Sequence, residues 1–356
     1  MKSLRRYSVF FCTLLLVTAR VQAQLPLLIG QNFTGSTYGD TTAAIPPDCN
    51  GTVGPTDFVE FINDQFAIYD KATGVNTVRI SALDFWSSAI PGFPSSLDVS
   101  DPRIIYDPSC QRWFASMVDL DPNAIDPTVE NNDFLLAVSV TSDPAGDWKG
   151  FRFRASPSGV KFADFPTLGV DKNAVYLSGD FFHGSTSPIG PGLVSIPKAD
   201  LLLATPTIAR RTFFAGLTYA VRGQVLQPVM CFDGTSSGNV VATGNIGMTS
   251  NPYSNLVCFA VQNASTASAS LTAPINLSVP PYMVPDNPDL GPVFTPTQPD
   301  GTSQLQANDA RFSARVYGEA GVLYAVHNTE LNNHIAIRWY RINASTLALL
   351  ESGTIA

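Results

Sequence analysis

The stretch Ser100-Asp101-Pro102-Arg103-Ile104-Ile105-Tyr106-Asp107, followed by Arg112-Trp113-Phe114-Ala115, decides how the chain is read. It pairs a strand-like run with a second one about a dozen residues later, across the turn Asp107-Pro108-Ser109. The pattern recurs. Upstream it reads Pro47-Asp48-Cys49-Asn50-Gly51-Thr52-Val53-Gly54, then Phe58-Val59-Glu60-Phe61. Downstream it reads Asp164-Phe165-Pro166-Thr167-Leu168-Gly169-Val170-Asp171, then Val175-Tyr176-Leu177-Ser178. Weaker copies begin at Gln227-Pro228-Val229-Met230 and Asp309-Ala310-Arg311-Phe312. Each unit closes on an alternating strand and a polar turn, as in Phe66-Ala67-Ile68-Tyr69-Asp70-Lys71, Leu136-Ala137-Val138-Ser139-Val140-Thr141 and Trp339-Tyr340-Arg341-Ile342-Asn343. Period-two alternation buries one face of such strands.

Units starting near 48, 101, 164, 227 and 309 have the spacing of propeller blades, whose apolar faces are buried only against neighbouring blades. The expectation is an all-β protein, a β-propeller over 48–356 with about five blade units and an incomplete last one. Residues 24–47 would supply a closing strand, or the chain would be a fragment of a longer product; the second is preferred. A pair of β-sandwiches explains the strands but not the recurring starts and finishes.

Composition agrees. Of 356 residues, 45% are hydrophobic and 14% charged, which excludes a disordered chain or a coiled coil. The 27 prolines and 26 glycines favour many short strands over long helices. Lys2, Arg5 and Arg6, the apolar run Phe10 to Val17 and the small-residue site Val21-Gln22-Ala23 form a signal peptide over 1–23. The mature chain would start at Gln24 and be secreted, displayed on the surface or held in the periplasm. Without the leader, 17 basic residues face 29 acidic ones, a net charge of −12. Such acidity argues against nucleic acid or an anionic membrane as partner, and no later apolar run is long enough to span a membrane. Cys49, Cys110, Cys231 and Cys258 remain, an even number that suggests disulfides, with Cys231–Cys258 and Cys49–Cys110 preferred among three pairings.

These motifs carry a resemblance. Residues 47–356 resemble a family of secreted bacterial β-propeller proteins, mostly uncharacterised, through "DCNGTVGPTDFVEFINDQFAIYDKATG", "SDPRIIYDPSCQRWFAS", "LAVSVTSDPAGDWKGFRF", "DFPTLGVDKNAVYLS" and "IRWYRINASTLALLESGTI". The resemblance implies a fold and no established activity. A fainter similarity links the chain to five-bladed glycoside hydrolases and sialidases; Ser142 to Trp148 is close to one of their blade turns but is not a full Asp-box.

Several residues are candidates for chemistry. Asp48, Asp101 and Asp164 open successive units, so they would meet near a propeller axis as base, acid and tuning carboxylate of a glycosidase. The plainer expectation is that each serves the backbone at its own strand start. Asp119, Asp121, Asp126, Glu130 and Asp133 form an acidic stretch suited to Ca²⁺, the one cofactor considered, or to a solvated loop. Trp86 and Trp148 lie near loops and would stack on a sugar, whereas Trp113 and Trp339 read as core. Gly234-Thr235-Ser236-Ser237-Gly238 fits G-x-S-x-G but precedes a strand, so it reads as a hairpin turn and not a nucleophile elbow.

The leading expectation is a non-catalytic extracellular propeller that binds a glycan, a matrix component or a protein through loops 85–100, 119–133, 179–192 and 279–308. A glycosidase- or lyase-type enzyme using the three aspartates is the alternative, and a Ca²⁺-stabilised adhesion module the second. The enzyme reading requires the carboxylates to converge.

Overall fold

The computed structural model describes residues 30–157, 161–184, 188–244, 252–285, 296, 299 and 307–356. The expected leader therefore lies outside the described residues, as does most of loop 279–308. The chain forms a five-bladed β-propeller.

Blade one takes β1 (Asn50–Val53), β2 (Asp57–Ile62), β3 (Gln65–Asp70) and β4 (Asn76–Ser81), then helix α1 (Ala82–Ala89). Blade two takes β5 (Asp98–Asp107), β6 (Arg112–Leu120), β7 (Asp133–Ser139) and β8 (Trp148–Arg154). Blade three takes β9 (Phe162–Val170), β10 (Ala174–Phe182), β11 (Pro188–Pro197), a short helix α2 (Lys198–Leu201) and β12 (Thr212–Phe214). A short helix α3 (Tyr219–Arg222) leads to blade four, which starts with β13 (Gln224–Pro228). The next strand, β14 (Met230–Cys231), leaves that sheet. Blade four continues with β15 (Asn239–Thr243), β16 (Tyr253–Gln262), a two-residue β17 (Ser270–Leu271) and β18 (Ile275–Tyr282). Blade five is β19 (Tyr317–Glu319), β20 (Val322–Leu331), β21 (His334–Asn343) and β22 (Leu349–Ile355), with β14 added in parallel to β19.

Two expectations are corrected. The last unit is not short of strands, because β19–β22 supply four. Among the described residues of 30–47 there is no closing strand, only an isolated Tyr38–Thr42 bridge. That arm instead covers blade one: the Phe33 ring lies 5.1 Å from that of Tyr69, and the Ser36 hydroxyl donates to Glu60 at 2.6 Å.

Apolar clusters fill the gaps between blades. The cluster between blades one and two is aromatic, with Phe61, Phe66, Phe85, Trp86, Trp113 and Trp148. Further clusters join blades two to three, three to four and four to five.

Polar side chains on the innermost strands then tie the ring together near the axis. Asn50 Oδ1 accepts the Ile104 N–H at 3.0 Å. Arg103 Nε donates to Pro166 O at 2.8 Å, Thr167 Oγ1 to Leu226 O at 2.7 Å and Gln227 Nε2 to Phe312 O at 2.6 Å. Arg315 closes the circle by donating to Asn50 Oδ1 and Ile104 O. These buried and part-buried bonds tie each inner strand to the next.

A second set of ties sits at the opposite end of the inner strands. In blades two, three and four an aspartate of the inner turn reaches the following blade: Asp107 takes Lys198 Nζ at 2.7 Å, Asp171 the Gly238 N–H at 2.6 Å and Asp233 the Ala320 N–H at 2.7 Å. Gly238 has φ +68°, and a Cβ there would stand 2.1 Å from Val261 O, so the turn requires glycine. This accounts for the G-x-S-x-G pattern, whose Ser236 is buried and accepts a bond from Asn239.

The cysteines are free: Cys49 is exposed, Cys110 partly buried, Cys231 and Cys258 buried. The expected disulfides are thus corrected. Cys231 travels with β14 to blade five, where its thiol contacts Asp233 at 3.1 Å, whereas Cys258 stays on β16 in blade four. No described helix is long and apolar enough to cross a membrane.

Candidate functional site

The site lies at the start of the inner strands. Here the backbone turns left-handed once in each of the first four blades, at Asp48 (φ 43°), Asp101 (φ 61°), Phe165 (φ 50°) and Val225 (φ 54°). Such angles are disfavoured for residues with a Cβ, above all bulky or branched ones. Register shifts mark bulges at three of these points, between Ser100 and Arg103 on β5, opposite the step Ser178/Asp180 on β9, and between Gln224 and Gln227 on β13. A bulge re-aims the side chains at that point of a strand.

Asp48, Asp101 and Asp164 come together there. The carboxyls of Asp48 and Asp101 are in hydrogen-bonding contact. Burial and the neighbouring Asp101 charge push Asp48 up to about 6. Burial also raises Asp164, with the Asp101 charge adding to it. Asp101 is therefore the middle of an arc over three blades, in contact with one neighbour and within electrostatic reach of the other.

Its position is fixed by the Ser100 hydroxyl, which donates to Asp101 Oδ1 at 2.8 Å, and by partners beyond its own strand. Asp101 Oδ2 accepts the Phe165 N–H of blade three at 3.1 Å, and the Asp101 N–H donates to Asn63 Oδ1 at 2.8 Å. The same Asn63 donates through Nδ2 to Asp48 Oδ2 at 2.7 Å and to Pro46 O at 3.0 Å. Asp48 and Asp101 are thus bonded to partners beyond their own strands, whereas Asp164 also accepts the N–H of its own neighbour Phe165. Asn63, at the β2–β3 turn, was missed by sequence reasoning; a buried amide in a turn carries no signal by itself.

Asp180 was missed as well. It stands on β10 directly opposite Asp164 on β9. It is 3% exposed, and burial raises it to about 7. Cations balance the cluster. Arg311 forms a two-pronged pair with Asp309, Nε to Oδ1 at 2.7 Å and Nη2 to Oδ2 at 2.6 Å. The guanidinium carbons of Arg311 and Arg103 stand 4.9 and 5.1 Å from the centre of the Phe165 ring. A cavity of about 220 Å³ opens beside this ring, lined also by Asp309, Arg311, Ser313, His327 and Asn328. Among the described residues no three His, Cys, Asp or Glu side chains could share one metal ion.

Other expected site residues lie elsewhere. Trp86 is fully buried on α1, its indole N–H on Met117 Sδ at 3.1 Å. Trp148 is 9% exposed, donates to Pro144 O at 3.0 Å and packs edge-on against Phe66 and Phe85. Neither presents a face to a sugar, which corrects that assignment. Loop 85–100 accordingly contains most of α1, and 179–192 is largely the β10–β11 hairpin. The acidic stretch does not gather around a cation either. Arg152 occupies both buried carboxylates, Asp119 and Asp133, while Asp121 and Asp126 bond the N–H groups of Asn123 and Thr128. Of the histidines, His183 is exposed, and His327 is buried between Tyr282, Phe312 and Tyr340.

No known family model matches the chain, and no curated protein does. Solved structures do. An exo-β-1,3-galactanase from Phanerochaete chrysosporium is 11% identical over 85% of this chain and 61% of its own, with a TM-score of 0.36. An exo-β-1,3-galactanase from Clostridium thermocellum is 11% identical over 85% and 60%, TM-score 0.39. A family 117 glycoside hydrolase from Zobellia galactanivorans is 10% identical over 86% and 87%, TM-score 0.42. The chain spans about three fifths of the two galactanases. The likeness is one of architecture.

The expectation of a non-catalytic binding propeller is corrected. It rested on carboxylates that each served its own blade, and they converge instead.

Proposed function

We infer that the protein cleaves glycosidic bonds by general acid–base catalysis at the axial carboxylates, as a glycoside hydrolase or a lyase-type enzyme. The observation that carries this reading is the arc Asp48–Asp101–Asp164, three carboxylates from the starts of three successive inner strands, two of them pushed above the usual carboxylate range.

Roles follow from environment. Asp48 is half-buried and keeps its proton up to about 6, so it is suited to protonate the leaving oxygen. Asp101 is the tuning carboxylate, since its charge holds the proton on Asp48. Asp164, at the far end, is the base. In hydrolysis the C–O bond breaks as the Asp48 proton passes to the leaving alcohol. A water oxygen bonds to the anomeric carbon, and the water's proton goes to Asp164. Asn63 and the Phe165 N–H hold the arc in place. The basic and apolar leader belongs with this reading, because it would deliver the enzyme to glycans outside the cell.

The test is incubation of the mature protein with a panel of plant, algal and microbial polysaccharides. New reducing ends, or unsaturated ends for a lyase, that disappear in Asp48→Asn and Asp164→Asn support the reading. Turnover unchanged in both variants refutes it.

A further inference from the structure

Asp180 is the buried ionisable group the mechanism above leaves without a task. It is a register partner of Asp164 across β9 and β10. Side chains directly opposite on neighbouring antiparallel strands have Cβ atoms about 5 Å apart. Two carboxylates at that spacing, one fully buried, do not both hold a charge. Asp180 has one hydrogen bond to the backbone, from the Val225 N–H at 3.3 Å, and that strand is itself held left-handed at Val225. The Tyr219 hydroxyl lies beside it, buried and without a well-formed hydrogen bond. His327, also buried, differs in having both ring nitrogens occupied, by Asn328 O at 2.6 Å and Tyr340 Oη at 2.9 Å.

We propose that Asp180 is a positioning residue that stays protonated and offers that proton to the Asp164 carboxylate, so that Asp164 remains charged as base. The inference rests on the acid–base reading given above for Asp164. Its chemistry is that of two carboxyls sharing one proton. The more exposed member, Asp164, carries the charge, and the enclosed member carries the proton.

Burial is the largest influence keeping Asp180 neutral; Arg311, itself paired with Asp309, is the strongest charge acting on it and opposes burial, while Asp309 ahead of β19 and Asp164 on β9 add smaller contributions to burial. Tyr219 on α3 supplies a neutral hydroxyl. The balance leaves Asp180 neutral up to about 7. The linkage has a definite sign. Between the ordinary carboxylate pKa and 7 the folded state binds the extra proton, so stability falls as pH rises through that window.

The experiment uses Asp180→Asn, which keeps a neutral donor, and Asp180→Ala, which removes it. Melting temperature is followed from pH 4 to 7 for wild type and Asp180→Asn, and the carboxyl carbons are titrated by ¹³C NMR. Where a substrate is in hand, the acidic limb of kcat/KM is added. The expected result is a flatter melting profile in Asp180→Asn and loss of a carboxyl resonance titrating near 7. The acidic limb stays in place for Asp180→Asn and moves up by about one pH unit for Asp180→Ala. A melting profile for Asp180→Asn parallel to wild type, with no carboxyl near 7 in either protein, overturns the proposal. The melting and NMR readouts need no turnover, so a failure of the enzymatic reading is seen separately.

Discussion

Lys198 Nζ lies 2.7 Å from Asp107 Oδ2 across the boundary between blades three and two, and both side chains are almost completely buried. Burial pushes Asp107 up, but the Lys198 charge and the Ser109 hydroxyl outweigh it and hold the carboxyl below its ordinary range. Removing one partner of such a pair strands the other. Lys198→Met should therefore destabilise the fold by about 3–5 kcal/mol. Since Asp107 is depressed, its contribution is present above the unfolded carboxylate pKa and fades as pH falls through the folded value. Denaturant melts at pH 7 and in mild acid check this: the difference between wild type and variant should shrink toward acid.

The burial of Trp86 separates packing from recognition. Trp86→Ala should cost about 3–5 kcal/mol, as expected for an aromatic ring lost from a packed core. Any glycan that the protein turns over should show an unchanged KM. A raised KM with unchanged stability would return the ring to a binding role.

Histidine gives a pH effect opposite in sign to that of Asp180. Burial lowers His327 to about 4, so the folded state excludes a proton that the unfolded chain binds below its ordinary pKa. Stability should then decline on acidification between about 6.5 and 4. Urea midpoints through that window, compared with His327→Gln, measure the effect. The variant should show a shallower decline.

The free thiols predict indifference to reductant. Dithiothreitol should leave the melting temperature within a degree or so, whereas loss of native disulfides costs on the order of 2–5 kcal/mol. A thiol reagent should react first at exposed Cys49 in the folded protein and reach Cys110, Cys231 and Cys258 as well after denaturation.

Much of the architecture was legible because its signal is local. Phe58-Val59-Glu60-Phe61 alternates, and the inner turns at Asp107 and Asp171 recur with their flanking strands. What failed depends on distant partners. The segment at Asp309 precedes the fifth inner strand, which starts at Tyr317, and β14 crosses between blades with no local mark. Helix α1 did have a signal: Ser81 caps the Asp84 N–H, and Ala82, Phe85, Trp86 and Ala89 have helical spacing. Reading it would have turned Trp86 inward. In the site, Asp101-Pro102 corresponds to Phe165-Pro166 in conformation, so the ring of Phe165, and not Asp164, occupies the repeated left-handed position. Asp164 reaches the axis one residue earlier and faces Asp180. Nothing short of the β9–β10 register could place those two carboxyls together.

The central claim is that the axial arc is a proton-transfer site. The most direct measurement is the pH dependence of kcat/KM on a cleaved glycan for wild type and Asp48→Asn. The account gives wild-type activity that falls above about pH 6, as Asp48 loses its proton, and a variant weaker by 10²–10⁴-fold without that limb. Wild-type activity rising through pH 6, or an Asp48→Asn variant as active as wild type, would contradict it.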